Sequence, residues 1–99
     1  MAKIKSKQKL KKRKVTFSMN SSDAEEVILM GDFNNWNPKK HPMQKDRNGM
    51  WVKSVIISPG KYEYKFLVDG QWKEDPQNDQ RYPNCFGTYN NTINVIAKK

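Results

Sequence analysis

The 99-residue sequence predicts an all-β fold, an antiparallel β-sandwich of seven to eight short strands. Three observations carry that expectation. Residues 61–68 alternate strictly, with Tyr62, Tyr64, Phe66 and Val68 on one face and Glu63, Lys65 and Leu67 on the other, which is the period of a half-buried strand. Asp69-Gly70 then accepts the positive φ angles of a two-residue hairpin loop, and this pins the register of that strand. Elsewhere, short apolar-alternating runs recur every 8–12 residues between turn clusters, and no convincing helical period interrupts them.

Taken in order, residues 1–13 form a Lys-rich arm, expected to be disordered, and residues 14–99 form one module. Val15, Phe17 and Met19 alternate as a first strand. Asn20 to Ala24 is a turn cluster, and Glu25 to Phe33 reads as a second strand whose inward face periodicity leaves open. Asp32 to Pro38 reads as a loop, because Asn residues bond their own backbone and Pro38 stops a ladder. His41-Pro42-Met43 suits a short edge strand. Met50 to Ile57 is a strand with Trp51, Val55 and Ile57 inward. Lys53 conflicts with that phase unless it lies near a sheet edge, where its ammonium reaches water. After the 61–68 strand, Trp72 opens the return strand, residues 74–84 are mostly loop, and a last strand runs from Thr88 to Ile96 with Ile93 and Val95 inward.

The net charge of +9 belongs mostly to the arm: eight of nineteen basic residues fall within residues 1–14, and the remaining eleven face ten acidic side chains. Such an arm suits a solubilising tail, a contact for nucleic acid or another polyanion, or a nuclear-import signal around Lys11 to Lys14. No apolar run is long enough for a membrane span or a signal-peptide core. A single cysteine, Cys85, permits no internal disulfide and suits a reducing, cytoplasmic location; it is expected as a half-buried structural thiol.

The residues argue against catalysis. His41 is the only histidine and sits in a polar segment, so neither a triad nor a His-rich metal site can be assembled. Asp69 is accounted for by its turn, and Glu74, Asp75 and Asp79 lie in a polar loop without apolar neighbours to raise a pKa. No metal and no cofactor is expected. The aromatic residues point elsewhere. Phe17, Phe33, Trp51, Tyr62, Tyr64 and Phe66 suit a core, whereas Trp36, Trp72 and Phe86 sit among Asn, Gln, Lys, Gly and Thr. That mixture suits a sugar, whose C–H face lies on a ring while its hydroxyls pair with amides and hydroxyls. For Trp36 and Trp72 the residues alone leave core and binding platform both open.

Gly31-Asp32-Phe33-Asn34-Asn35-Trp36, the run Pro59 to Trp72, Asp75-Pro76, and Gly87-Thr88-Tyr89-Asn90-Asn91, in that order and spacing, resemble carbohydrate-binding module family 48 over about residues 14–97. This is the glycogen-binding domain of the AMP-activated protein kinase β subunit, related to the N-terminal early-set domains of isoamylases and branching enzymes. The resemblance implies an immunoglobulin-like sandwich that binds α-1,4-linked glucans such as glycogen, starch and maltooligosaccharides. It makes Trp36 and Trp72 stacking platforms and Lys65, Thr88 and Asn90 hydrogen-bonding partners. Phe86 stands where the kinase subunit has a projecting leucine. The expected protein is a free-standing, monomeric, non-catalytic module. The alternative is an adaptor that recruits a glucan-active enzyme or kinase, with the arm on a polyanion.

Overall fold

A computed structural model describes residues 12–96. Most of the arm, residues 1–11, lies outside the described residues. Eight strands follow: β1 Arg13–Asn20, β2 Val27–Gly31, β3 Gln44–Lys45, β4 Met50–Ile57, β5 Gly60–Val68, β6 Gln71–Lys73, β7 Arg81–Pro83 and β8 Tyr89–Val95. They make two antiparallel sheets. One has the order β1-β4-β3; the other runs β2-β5-β8-β7, with β6 also paired to β5. The predicted sandwich is the observed one.

Strand β5 organises the larger sheet, because its nine residues pair on both edges. Residues 64–68 face β2 on one edge; on the other, residues 60–64 face β8 and residues 66–68 face β6. Asp69 (φ 48) and Gly70 (φ 82) close the β5–β6 hairpin in the left-handed region, as the Asp-Gly pair predicts. The Asp69 carboxylate also accepts the backbone N–H groups of Glu25 (3.0 Å) and Glu26 (2.8 Å), which ties the entry of β2 to the hairpin.

The core lies between the sheets. Phe17 and Met19 of β1, Trp51, Val55 and Ile57 of β4, Val27 and Leu29 of β2, and Tyr64, Phe66 and Val68 of β5 are buried together. Phe17 meets the Tyr64 ring edge-on at 4.9 Å across the sheet gap. Lys53 is half-buried. It lies on the central strand of its sheet, just past the two residues, Trp51 and Val52, that β3 covers on one edge of β4.

Several elements differ from the sequence reading. The second strand is shorter than Glu25 to Phe33. It stops at Gly31, and Asp32–Asn34 form a 3-10 turn. Every residue of β2 is buried, which is why periodicity could not orient it: Val27 and Leu29 join the core, while Ile28 and Met30 are covered on the outer face. Pro42 makes a single bridge to Ile28, and since proline has no N–H, the flanking His41 O and Met43 N carry the bonds to β2. Strand β7 falls inside the segment read as loop. The last strand begins at Tyr89 rather than Thr88. Cys85 is exposed, not half-buried, because the 84–88 loop projects from the sheet and offers it no cover.

Candidate functional site

The outer face of β5 is built by alternation. Glu63, Lys65 and Leu67 point away from the core, and Trp72 stands opposite Leu67 across the hairpin, on the same face. Lys65 falls at a break, since Tyr64 is the last β5 residue paired to β8 and Phe66 is paired to β6. A groove of roughly 840 Å³ opens there, and it is lined by Trp36, Lys65, Trp72, Phe86, Thr88 and Asn90. All six residues singled out from the sequence therefore meet in one place. They come from the turn after β2, from β5, from β6, and from the loop and strand around β8.

Trp36 reaches the groove through an unusual backbone. Asn35 and Trp36 both have φ of 56°. Left-handed geometry suits Asn35, but for tryptophan it costs roughly 1–2 kcal/mol. The turn holds it nonetheless: Trp36 N donates to Gly31 O (3.0 Å) and Asn35 N to Asp32 O (3.3 Å), the bond pair of a Schellman closure. Asn34, itself buried, accepts from Gly31 N, donates to Leu29 O and donates to His41 Nδ1 (2.8 Å). His41 Nδ1 is thus an acceptor, which places the ring proton on Nε2. Burial first, then the charges of Lys53 and Lys40, push the His41 pKa below its ordinary value, so the ring is neutral near pH 7.

The indole itself is positioned by Asp32. One carboxylate oxygen accepts Trp36 Nε1–H at 2.9 Å and the other accepts Glu63 N at 2.8 Å. Trp36 and Trp72 then stand with ring centroids 6.1 Å apart and planes inclined at 65°. They form two walls of a corner. Trp72 is 51% exposed and Phe86 85% exposed, values no core role explains.

Lys65 combines an outer-face position with burial. Alternation put it on the outer face, and it is there, yet only 6% of it is exposed. Its ammonium lies at the floor of the groove and donates to Thr88 Oγ1 at 3.0 Å. An ammonium has three donors, so two remain for a ligand or other acceptors. Asn90 donates to Glu63 Oε1 (3.0 Å).

Residues that sequence reasoning missed organise these groups. Asn84 accepts from Phe86 N (2.9 Å) and Thr88 N (3.2 Å), and its amide donates to Thr88 Oγ1 and Asn90 Oδ1. It is the hub of the Phe86 loop, whose tip turns at Gly87 with φ of 84°. The clue was an Asn two residues before Phe86, the spacing of an Asx turn. Asp32, Glu63, Glu74 and Cys85 also line the groove. Each carboxylate is engaged: Asp32 and Glu63 as above, and Glu74 by Arg81 at 3.0 Å.

The loop after β6 is fixed from below. The Tyr64 hydroxyl donates to Asp75 Oδ2 (2.7 Å) and accepts from Asn78 Nδ2. Fully buried Asn91 accepts Asp75 N and donates to Asn78 O. Burial above all, together with Asp75, raises the Tyr64 pKa above its ordinary value, against the opposing Asn78 bond. Among the described residues, no helix is long and apolar enough to cross a membrane.

A β-sandwich bearing a lateral groove of inclined aromatic rings, amides and hydroxyls has the form of a carbohydrate-binding module. Comparison with known proteins agrees. Residues 13–99 match the family described as the glycogen recognition site of AMP-activated protein kinase, and this chain belongs to that family. It is 42% identical to protein PTST homolog 2, chloroplastic, of Arabidopsis thaliana over 77% of this chain and 14% of that protein. It is 43% identical to the 5'-AMP-activated protein kinase subunit beta-1 of Sus scrofa over 71% of this chain and 54% of that protein. With the human beta-2 subunit the identity is 40%, over 76% of this chain and 26% of that protein. The chain thus spans from about a seventh to about half the length of these curated relatives.

Proposed function

We propose that this chain binds α-1,4-linked glucans in the lateral groove and performs no reaction on them. The observation that carries this reading is the convergence of three ring-bearing side chains, Trp36, Trp72 and Phe86, from separate parts of the chain around Lys65, Thr88 and Asn90. Sugar rings stack on the aromatic faces, while Lys65 Nζ, Thr88 Oγ1 and the Asn90 amide meet the hydroxyls. The 65° inclination of Trp36 to Trp72 supports an α-linked chain. Such a chain turns as it grows and presents successive rings at an angle; a straight β-1,4 chain fits coplanar platforms better. The groove carboxylates serve the groove's structure: Asp32 holds the Trp36 indole, Glu63 accepts from Asn90 and Glu74 pairs with Arg81.

Affinity is expected to be modest, since an open groove covers one face of a few sugars and each hydrogen bond replaces one to water. A Kd of about 0.05–1 mM, roughly −4 to −6 kcal/mol, is the corresponding range. Titration with maltoheptaose, followed by intrinsic tryptophan fluorescence, tests the reading. Saturable binding that Trp36→Ala or Trp72→Ala abolishes, and that cellopentaose does not mimic, supports it. Absence of any response up to several millimolar sugar contradicts it. The relatives are kinase subunits and a longer plastid protein, so within a larger assembly the module would place glucan near a partner. A lone exposed thiol suits a reducing compartment, cytosol or plastid stroma alike.

A further inference from the structure

We propose that a bound glucan continues out of the lateral groove across β8 and stacks on Tyr82, which makes the strand pair β7–β8 a second sugar subsite. The proposal rests on the glucan reading above. Tyr82 is 60% exposed on a three-residue edge strand. Among the described residues its hydroxyl has no hydrogen-bond partner. Tyr82 stands directly opposite Asn90, so both side chains occupy the same face of the sheet.

Asn90 already lines the main groove. It lies one position beyond the Tyr64–Asn91 pair, level with Lys65 on β5. Lys65, Asn90 and Tyr82 therefore form one row across three strands. Two strand spacings, roughly 10 Å, separate its ends, a span of about two glucose units.

A second depression of roughly 600 Å³ flanks Tyr82, and Lys61, Gln80, Thr92 and Asn94 line it. It shares Asp32 and Glu63 with the main groove, so the two adjoin on the same face of the sheet. One exposed ring surrounded by amides, a hydroxyl and an ammonium repeats the composition of the first site. The Arg81 guanidinium, next to Tyr82 in sequence, is engaged by Glu74 and lies over the Tyr89 ring at 4.6 Å. A glucan long enough to leave Trp72 and cross Asn90 meets Tyr82 next.

The test compares maltotriose with maltoheptaose on the wild-type chain, Tyr82→Ala and Tyr82→Phe, with Kd read from tryptophan fluorescence. The wild type binds the heptaose more tightly. In Tyr82→Ala, affinity for maltoheptaose falls about 3- to 10-fold, the range of one lost aromatic contact, while maltotriose, too short to span both sites, binds as before. Tyr82→Phe keeps the heptaose affinity. The second subsite is overturned if Tyr82→Ala leaves maltoheptaose binding unchanged, or weakens both sugars in equal proportion. If the wild type binds neither sugar, the groove reading fails and the subsite fails with it.

Discussion

Replacing Asp32 by alanine should weaken glucan binding although Asp32 need not touch the sugar. Its two carboxylate oxygens hold the Trp36 indole N–H at 2.9 Å and Glu63 N at 2.8 Å. Both bonds are solvent-accessible, so their loss costs less than the ~1.5–3 kcal/mol typical of charge-assisted bonds. The larger effect on binding is entropic. A freed Trp36 must be ordered again by each sugar, at about 0.5–1.5 kcal/mol for one immobilised side chain, which predicts a 2- to 12-fold rise in Kd for maltoheptaose. Asp32→Asn keeps one acceptor and should show a smaller effect. The assay pairs maltoheptaose titration with urea unfolding, so that affinity is read on chains shown to be folded. If Asp32→Ala binds maltoheptaose as tightly as the wild type, Trp36 is not positioned by this carboxylate and the preorganisation argument is wrong.

Other consequences are open to simple measurement. Phe86→Ala should leave unfolding free energy within about 0.5 kcal/mol, because the ring is exposed, yet raise the maltoheptaose Kd by about 2- to 12-fold. Gly31→Ala should destabilise by about 1–3 kcal/mol in urea unfolding, since a Cβ there would lie 2.7 Å from the Phe33 ring and 2.9 Å from Glu63 O. The His41 pKa is lower folded than unfolded, so its contribution to stability is complete above the ordinary value of 6.5. As pH falls through that value the unfolded chain takes the proton first, and stability drops until the lower folded value is passed. Urea midpoints at about pH 7.5 and about pH 5.5 should therefore differ more in the wild type than in His41→Gln.

What the sequence made legible follows from which features are local. The alternation of Tyr62, Tyr64, Phe66 and Val68, and the Asp69-Gly70 turn, are properties of neighbouring residues, and both appear as expected. Strand β2 was ambiguous because it is covered on both sides, and cover depends on distant segments such as His41 to Met43. Strand β7 was missed since three exposed residues, one of them a proline, carry no period; its pairing with β8 defines it. Lys65 is given the right face by alternation, but its depth depends on distant residues such as Thr88, whose hydroxyl meets its ammonium at 3.0 Å. The positioning roles of Asp32 and Asn84 were invisible for a related reason. A short polar side chain in an Asn-rich turn looks like turn chemistry, and only the three-dimensional arrangement shows which N–H it faces. The six groove residues came from the family resemblance more than from periodicity, and the fold brings them into one groove.

Sugar bound in the groove is expected to lie on Trp36 and Trp72. The chain contains its own control, because its third tryptophan, Trp51, is buried and its indole N–H donates to Ser21 O at 2.9 Å, away from the groove. Nitrogen-15 NMR resolves the three indole N–H signals in one spectrum. During titration with maltoheptaose, the Trp36 and Trp72 signals should move together along one saturable curve while that of Trp51 stays in place. If neither groove signal moves at several millimolar sugar, or if all three shift alike, glucan binding in this groove is contradicted.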